Sequence, residues 1–498
     1  MSVHDIVIIG TGFAGLGMAM KLREAGRDDF VVLEKADDVG GTWRDNTYPG
    51  CECDIPSHMY SFSYELNPDW SKSFSRQPEI LAYMRGVADD RGLRSHVEFG
   101  VEVTGATWDD GRQRWTIDTR GGETYEARVL VSGAGGLHIP SIPTIAGADT
   151  FEGPQFHSAG WRHDVDLAGQ RVAVIGTGAS AIQFVPIIAD EVAELTVFQR
   201  TPPWVLPKAD KPIPEWQKRV FRSVPGAQRA YRDLTYWALE SRAIGFNGWA
   251  LGALKLAEKV VTRQLAKTVD DPEVARQLTP DYRLGCKRVL QSNTYYPTFN
   301  REHVSLDTSG IAEITPQGVV DGDGVLHEVD VIVYGTGFHV TDSYEYLNFV
   351  GRDGLDLGKQ FAEHGIESHL GITVNRFPNL FFMLGPNTAL GHNSVVFMIE
   401  QQTKFVVRML AEMDARGAVA VEPTLEAQTR YNVDVQRRVS KGIWTQGGCT
   451  SWYLDSQGRN RTIWPKFTFQ YWWETRQVPT EAYAWEPARV REPAADLG

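Results

Sequence analysis

The chain has 498 residues, 42% hydrophobic and 23% charged, with a formal net charge of −13. It is too long for one hydrophobic core and long enough for two or three domains, and its acidic balance argues against a nucleic-acid partner, which would require a basic face. Four cysteines, at positions 51, 53, 286 and 449, are too few for a disulfide scaffold and imply a reducing interior; together with the lack of any long uninterrupted apolar run they predict a cytoplasmic protein with no integral membrane segment.

The first predicted unit runs from Asp5 to Glu34. IVIIG reads as a buried parallel strand, Phe13 to Ala25 has helical spacing, and Phe30 to Leu33 reads as a second strand. Gly10, Gly12 and Gly15 form G-x-G-x-x-G at the turn between strand and helix. The first glycine permits the tight turn, the second lets backbone N–H groups approach a pyrophosphate, and the third lets the helix pack closely on the strand. Glu34, at the end of the next strand, is placed to accept a ribose hydroxyl.

Gly40 to Asp54 (GGTWRDNTYPGCECD) follows with neither helical nor strand period, and irregular segments of this length are commonly functional. The C-x-C at Cys51 and Cys53 has no second pair to complete a zinc site, so no metal is expected and both thiols read as packing groups. Pro78 to Arg91 reads as a helix; Val97–Val103, Trp115–Thr119 and Ala127–Val131 read as strands, the last ending in SGAGG, which suits either a second approach to a nucleotide or a bare turn. After a Pro-rich boundary comes FEGPQFHSAGW, Phe151 to Trp161, a connector carrying an isolated His and Trp.

A second copy of the nucleotide-binding module follows. Gly176, Gly178 and Ala181 hold the turn positions, and Arg200 stands 24 residues after Gly176, as Glu34 stands 24 after Gly10. A guanidinium there suits a ribose 2′-phosphate, so the second nucleotide is predicted to be NADPH rather than NADH. From Pro202 to Leu284 the composition changes to aromatic-rich helical stretches, Lys218–Phe246 and Trp249–Lys267, read as a capping insertion whose aromatics form core. Weak membrane contact by Trp249–Val261 is left open. Beyond it lie the adjacent Lys287 and Arg288, a strand at Val329–Tyr334, a strand at Asn379–Leu384, a helix from Val395 to Met413, and a Trp-rich tail after GGCTSWY.

Two patterns carry a family resemblance. G-G-x-W-x-x-x-x-Y-P-G-x-x-x-D falls on Gly40, Gly41, Trp43, Tyr48, Pro49, Gly50 and Asp54; F-x-G-x-x-x-H-x-x-x-W falls on Phe151, Gly153, His157 and Trp161. Over nearly its whole length the chain resembles the class B flavoprotein monooxygenases, and among them the Baeyer–Villiger monooxygenases of the 4-hydroxyacetophenone monooxygenase type. One departure is Arg162, where the family usually has Pro or Asp, and it leaves the substrate chemistry open.

The resemblance implies an α/β fold of two Rossmann-like dinucleotide-binding domains, for FAD and NADPH, with a helical insertion. The implied divisions are 1–142 for the first FAD-binding segment, 143–161 for the linker, 162–208 and 281–340 for the NADPH-binding domain, 209–280 for the insertion, and 341–498 for the second FAD-binding segment and tail. It implies flavin contacts from Thr42, Trp43, Asp54 and Tyr60, 2′-phosphate contact from Lys287, nicotinamide-ribose contact from Trp452, and a hinge at Phe151, Gly153, His157 and Trp161. It further implies that Arg288, paired with Asp54, stabilises an anionic C4a-peroxyflavin that attacks a ketone to give an ester or lactone, with thioether sulfoxidation as a side activity. Two alternatives stand beside it: a monooxygenase restricted to amines or sulfides, and a flavin-binding redox sensor without turnover.

Overall fold

The computed structural model describes residues 2–246, 251–340, 347–455 and 457–489. The first module is strand β1 (Ser2–Ile9), helix α1 (Phe13–Glu24) and strand β2 (Phe30–Glu34), with β1 and β2 parallel in the register Ile6 to Phe30. All five residues of β2 are buried, as a strand covered on both faces requires. The second module repeats it as β3 (Arg171–Ile175), α2 (Ala181–Ile188) and β4 (Glu194–Phe198).

Each module belongs to its own sheet. The first sheet runs, edge to edge, through 349–350, 103–109, 114–119, 124–132, β1, β2 and 97–99. Its strand Thr124–Ser132 is shared: residues 124–127 pair antiparallel with 115–118, whereas 130–132 pair parallel with Leu380–Phe382. The second sheet runs 304–307, β4, β3, 331–334 and 155–157, all parallel. The predicted strand Val97–Val103 divides into 97–99 and 103–109, because Gly100 takes a left-handed φ of 74° and turns the chain between them.

The insertion forms helices α3 (Glu215–Ser223), α4 (Ala227–Glu240) and α5 (Leu251–Thr268). The single helix expected over Lys218–Phe246 is broken at Val224–Pro225–Gly226, where Gly226 has φ 80° and proline supplies no N–H for continuation. The start of the other expected helix, at Trp249, lies outside the described residues. Helix α6 (Val395–Arg416) packs along α1 behind the first sheet, and α7 (Thr468–Thr475) packs on α6.

Two expectations are corrected. Cys286 and Cys449 form a disulfide, their Cα atoms 6.1 Å apart across 163 residues of sequence. Cysteine count gave no sign of it, since only the fold brings the two together. The insertion's aromatics are also not all core: Trp216 and Trp237 are 64% and 58% exposed. Helical spacing shows that a helix has an apolar stripe but not that anything covers the stripe.

Candidate active site

The three glycines of the first turn are held to glycine for different reasons. Gly10 has φ 89°, and a Cβ on Gly15 would stand 1.8 Å from the Gly10 carbonyl oxygen, so both are fixed by the backbone itself. A Cβ on Gly12 would meet no protein atom within 4 Å. That position faces open space at the N-terminus of α1, which is where a pyrophosphate is held by backbone N–H groups and the helix dipole. Glu34 is buried at the end of β2, but its oxygens are already engaged. Oε2 accepts from the Thr11 N–H (2.9 Å) and hydroxyl (2.6 Å); Oε1 accepts from the Ala36 N–H (3.0 Å) and pairs with Arg44 (3.0 Å). A ribose hydroxyl reaching this carboxylate would replace one of these four partners.

Segment 40–54, expected to lack regular structure but holding a one-turn helix at Thr42–Asp45, bridges the two modules. At one end, a Cβ on Gly41 would lie 3.0 Å from the Gly12 Cα, so the loop carrying Thr42 and Trp43 presses on the first turn. Thr42 is exposed there; Trp43 is buried and donates its indole N–H to the Tyr60 hydroxyl at 3.2 Å. At the other end, a Cβ on Gly50 would lie 2.8 Å from the Gln183 carbonyl oxygen of α2. The Gln183 side chain accepts from the Tyr48 hydroxyl (2.9 Å) and donates to the Glu52 carbonyl (3.0 Å). Lys208, its side chain buried, donates to the Cys53 carbonyl (3.0 Å) and pairs with Glu52 (2.7 Å).

This clamped loop delivers Asp54 to Arg288, 234 residues away in sequence. Arg288 donates Nε to Oδ2 (3.0 Å) and Nη2 to Oδ1 (2.8 Å) and Oδ2 (2.7 Å). The Asp54 charge holds the guanidinium above its ordinary pKa against the cost of burial. About a third of the side chain, 37%, remains open to solvent. The result is a cation fixed in orientation and open on one side. Tyr453 lies close enough to feel both charges, and burial pushes its phenol up to about 12, leaving it a neutral wall.

Cys51 and Cys53 are free and buried, and burial pushes the Cys51 thiol up to about 12 and the Cys53 thiol higher still. Neither offers the thiolate that disulfide exchange needs.

Around the second turn, Gly176 has φ 103°, and a Cβ there would lie 2.6 Å from the Gly335 carbonyl oxygen; Gly178 sits in the same turn with that oxygen at 3.4 Å. Ala181 fills the third position, its methyl against Gly335. Beside this turn is a cleft of about 660 Å³ lined by Arg200, Thr201, Lys287, Cys449 and Thr450. Burial and the neighbouring Arg200 lower the Lys287 pKa. Among the described residues neither Arg200 nor Lys287 has a carboxylate ion pair. Two cations held together against their own repulsion suit a doubly charged phosphate. The disulfide at Cys449 ties this wall to the segment bearing Lys287 and Arg288. Trp452, partly exposed, follows three residues later with its ring 4.4 Å from that of Tyr453.

The connector is built into the second sheet: residues 155–157 are its edge strand, with His157 opposite Tyr334. Gly153 is forced, since a Cβ would lie 2.2 Å from the Asp330 carbonyl oxygen; Phe151 is buried. Trp161 contacts Phe156 (5.3 Å) and Phe184 of α2 (5.2 Å), and Phe184 contacts Tyr48 (6.1 Å). Linker, second module and bridging loop are thus joined ring to ring. Arg162 pairs on the surface with Asp164.

The chain is 47% identical to a Baeyer–Villiger monooxygenase of Pseudomonas aeruginosa over 96% of its own length and 90% of the relative's. The chain belongs to the Baeyer–Villiger monooxygenases. A family model described as pyridine nucleotide-disulphide oxidoreductase matches residues 7–224, the stretch holding both nucleotide turns. Among solved structures, OTEMO in complex with FAD and NADP superposes with a TM-score of 0.86 at 30% identity, covering 97% of this chain and 99% of that one. An ε-caprolactone-bound cyclohexanone monooxygenase superposes at 0.85 and 30% identity, covering 98% and 100%.

Within this monooxygenase, sequence reasoning did not anticipate Gln183, Lys208, Tyr453 or the Cys286–Cys449 bridge. Gln183 and Lys208 act through contacts 131 and 155 residues away, for which local pattern holds no signal. Gly50 was the available clue, because a glycine in an irregular loop marks a close approach of something else.

Proposed function

We propose that the protein is an NADPH- and O2-dependent monooxygenase that inserts one oxygen atom beside a ketone carbonyl. Ketone, O2, NADPH and a proton give an ester or lactone, water and NADP+. The observation that carries the reading is the Arg288–Asp54 pair, a permanently charged guanidinium held by three contacts and still partly open to solvent. Bound FAD supplies hydride acceptance and the activation of O2. The first turn, with Gly12 open to a pyrophosphate and Thr42, Trp43 and Tyr60 beside it, is the proposed flavin site. The second turn, with Arg200 and Lys287 on the 2′-phosphate and Trp452 near the nicotinamide ribose, is the proposed NADPH site.

Arg288 stabilises negative charge on oxygen at the reacting face, where a preorganised cation needs no reorganisation as charge develops. Asp54 keeps the guanidinium in place, and the 48–54 loop carries Asp54 on supports from the NADPH side, Gln183 and Lys208. Phe151 to Trp161 serve as the joint between the two nucleotide units. The proposed location is the cytoplasm, and thioethers are proposed as substrates for sulfoxidation.

The test is a turnover assay with product identification, NADPH and a panel of cyclic ketones, aryl ketones and thioethers. The expected result is close to one ester or lactone per NADPH. Hydrogen peroxide alone from every ketone, with sulfoxide from thioethers, would assign the chain instead to sulfide oxygenation. Failure of NADPH to bleach the flavin under anaerobic conditions would assign it to the non-catalytic class.

A further inference from the structure

Helix α4 carries its charges on the inside. Its outward side presents Tyr231, Leu234 and Trp237, with Leu234 72% exposed, whereas Gln228, Arg232 and Glu240 are buried against the protein. Polar-in and apolar-out is the pattern of a helix bathed in lipid, but no helix of the described residues is long and apolar enough to cross a membrane. The explanation lies in what the inner side holds, because a buried guanidinium loses its hydration and persists only where partners replace it.

The partners lie beside the first module, although α4 leaves the chain between β4 and Lys287 of the second. Arg232 donates Nη1 to the His58 carbonyl and to the Ser61 hydroxyl (3.3 Å), and its Nη2 stands 3.8 Å from Oε1 of Glu400 on α6. Glu400, also buried, accepts from the Ser63 N–H (2.5 Å) and hydroxyl (2.7 Å). Gln228 donates to the Asn67 carbonyl (2.6 Å), with His58 Nδ1 3.2 Å away. An insertion of the second module thus reaches across with a cation to hold a turn beside the first.

That turn carries Tyr60. Residues 56–67 contain neither helix nor strand, so side chains from other elements set their position: Arg232 and Gln228 from α4, Glu400 from α6, and Tyr83, whose hydroxyl accepts the Phe62 N–H (3.0 Å). Tyr60 stands between two of the held residues, His58 and Ser61. It accepts the Trp43 indole N–H (3.2 Å), its ring packs on Phe13 (5.2 Å), and Phe13 is the first residue of α1, next to the open Gly12. Tyr60 is also within electrostatic reach of Asp54 and Arg288. The chain of contacts from α4 to the proposed flavin site is thus two links long, from Arg232 to residues 58–61 and from Tyr60 to Trp43 and Phe13.

We propose that Arg232, charge-paired with Glu400, is a positioning residue for the monooxygenase reaction: it fixes Tyr60, and through it Trp43, where bound flavin is aligned with Arg288. The proposal rests on the reading of the protein as a ketone monooxygenase with flavin at the first turn. With the flavin misaligned, NADPH, O2 and a proton end as NADP+ and hydrogen peroxide instead of oxygenating the ketone. The test compares Arg232→Met, Arg232→Lys and the double variant Arg232→Met/Glu400→Gln with the parent, as FAD-loaded full-length proteins, each well below its melting midpoint and normalised to bound flavin. The readouts are melting temperature, visible circular dichroism of the flavin, and ester or lactone formed per NADPH. Arg232→Met leaves Glu400 buried without its cation and should melt lower, with an altered flavin spectrum and a kcat for oxygen insertion about 10- to 100-fold down, the KM for ketone staying within about threefold. Arg232→Lys should recover part of both spectrum and rate. The double variant removes both charges and should regain most of the melting temperature while spectrum and rate stay impaired, since it supplies no donor to residues 58 and 61. If Arg232→Met does not fold, the other two variants decide. The proposal is overturned if Arg232→Met or the double variant keeps the parental spectrum and coupling, or if rate recovers in step with melting temperature, because the pair would then serve stability alone. A parent enzyme that forms no ester or lactone would sink the monooxygenase reading instead, and an altered spectrum in Arg232→Met would still support the hold on Tyr60.

Discussion

Asp54→Asn tests the core of the mechanism with the least change in shape. The carboxylate makes three contacts of 2.7–3.0 Å with Arg288. Asparagine keeps one acceptor oxygen but turns an NH2 toward a guanidinium that can only donate; with the oxygen kept at the Oδ2 position, the Nη2 contact to Oδ1 is lost outright and the two contacts to Oδ2 are made to a neutral acceptor. At the effective dielectric of a partly buried pair, the Coulomb attraction at ~4 Å is about 4 kcal/mol. With 37% of the arginine side chain exposed, solvent screening reduces this, and about 2 kcal/mol is the working figure. Arg288 would then hold its productive orientation about thirtyfold less favourably, and oxygen insertion should slow by about that factor. The assay measures ester or lactone formed per NADPH consumed, alongside hydrogen peroxide, and separately the anaerobic rate of flavin reduction by stopped flow. Insertion should fall about thirtyfold with reduction within about threefold of the parent, and Asp54→Glu should recover part of the loss. An Asp54→Asn enzyme with parental coupling would show that the pair is structural and that the reasoning from its geometry is wrong.

Arg200→Ala should raise the KM for NADPH by about 10- to 100-fold, from loss of a charge-assisted phosphate contact of about 1.5–3 kcal/mol, and leave the KM for NADH within about threefold; equal effects on both coenzymes would remove Arg200 from the 2′-phosphate site. Because burial and Arg200 lower the Lys287 pKa, its ammonium is lost earlier as pH rises, so the KM for NADPH should climb on the alkaline side more steeply than that for NADH; Lys287→Arg should move that limb to higher pH, and an unmoved limb would count against the assignment. Gly12→Ala should fold, because its Cβ meets no protein atom, yet lose FAD, whereas Gly15→Ala should destabilise the fold itself; thermal melts and flavin content separate the two, and parental FAD affinity in Gly12→Ala would contradict the pyrophosphate placement. Cys286→Ser, or treatment with a dithiol reductant, should raise the KM for NADPH while leaving flavin content intact, since the bridge joins the cleft wall at Cys449 to the segment bearing Lys287; an unchanged KM would make the bridge irrelevant to the coenzyme.

What could be read from the sequence was what is local. A strand, a glycine turn and a helix occupy about thirty consecutive residues, and both modules stand where their spacing put them. Arg200 could be read for the same reason, being at a fixed offset from its turn. The Arg288–Asp54 pair came from family resemblance, because no period or spacing relates residues 234 positions apart. Gln183 and Lys208 were hidden for that reason too, as was the Cys286–Cys449 bridge. The outward face of α4 was hidden differently: its apolar spacing was visible, but its burial depends on what packs against it, and the buried polar residues of the other face are what reverse the helix.

The shared strand Thr124–Ser132 sets an order on biosynthesis. The second sheet draws all its strands from residues 155–334 and can close once that span has left the ribosome. The first sheet cannot, because Leu380–Phe382 must still pair with residues 130–132 and α6 must still cover α1. At ~5–20 residues per second, the half-strand 130–132 waits about 12–50 s for its partner. Through that interval the nascent chain carries a closed second sheet beside an incomplete first sheet with an open β edge, so chaperone capture and truncation damage should concentrate on the half of the protein that began synthesis first.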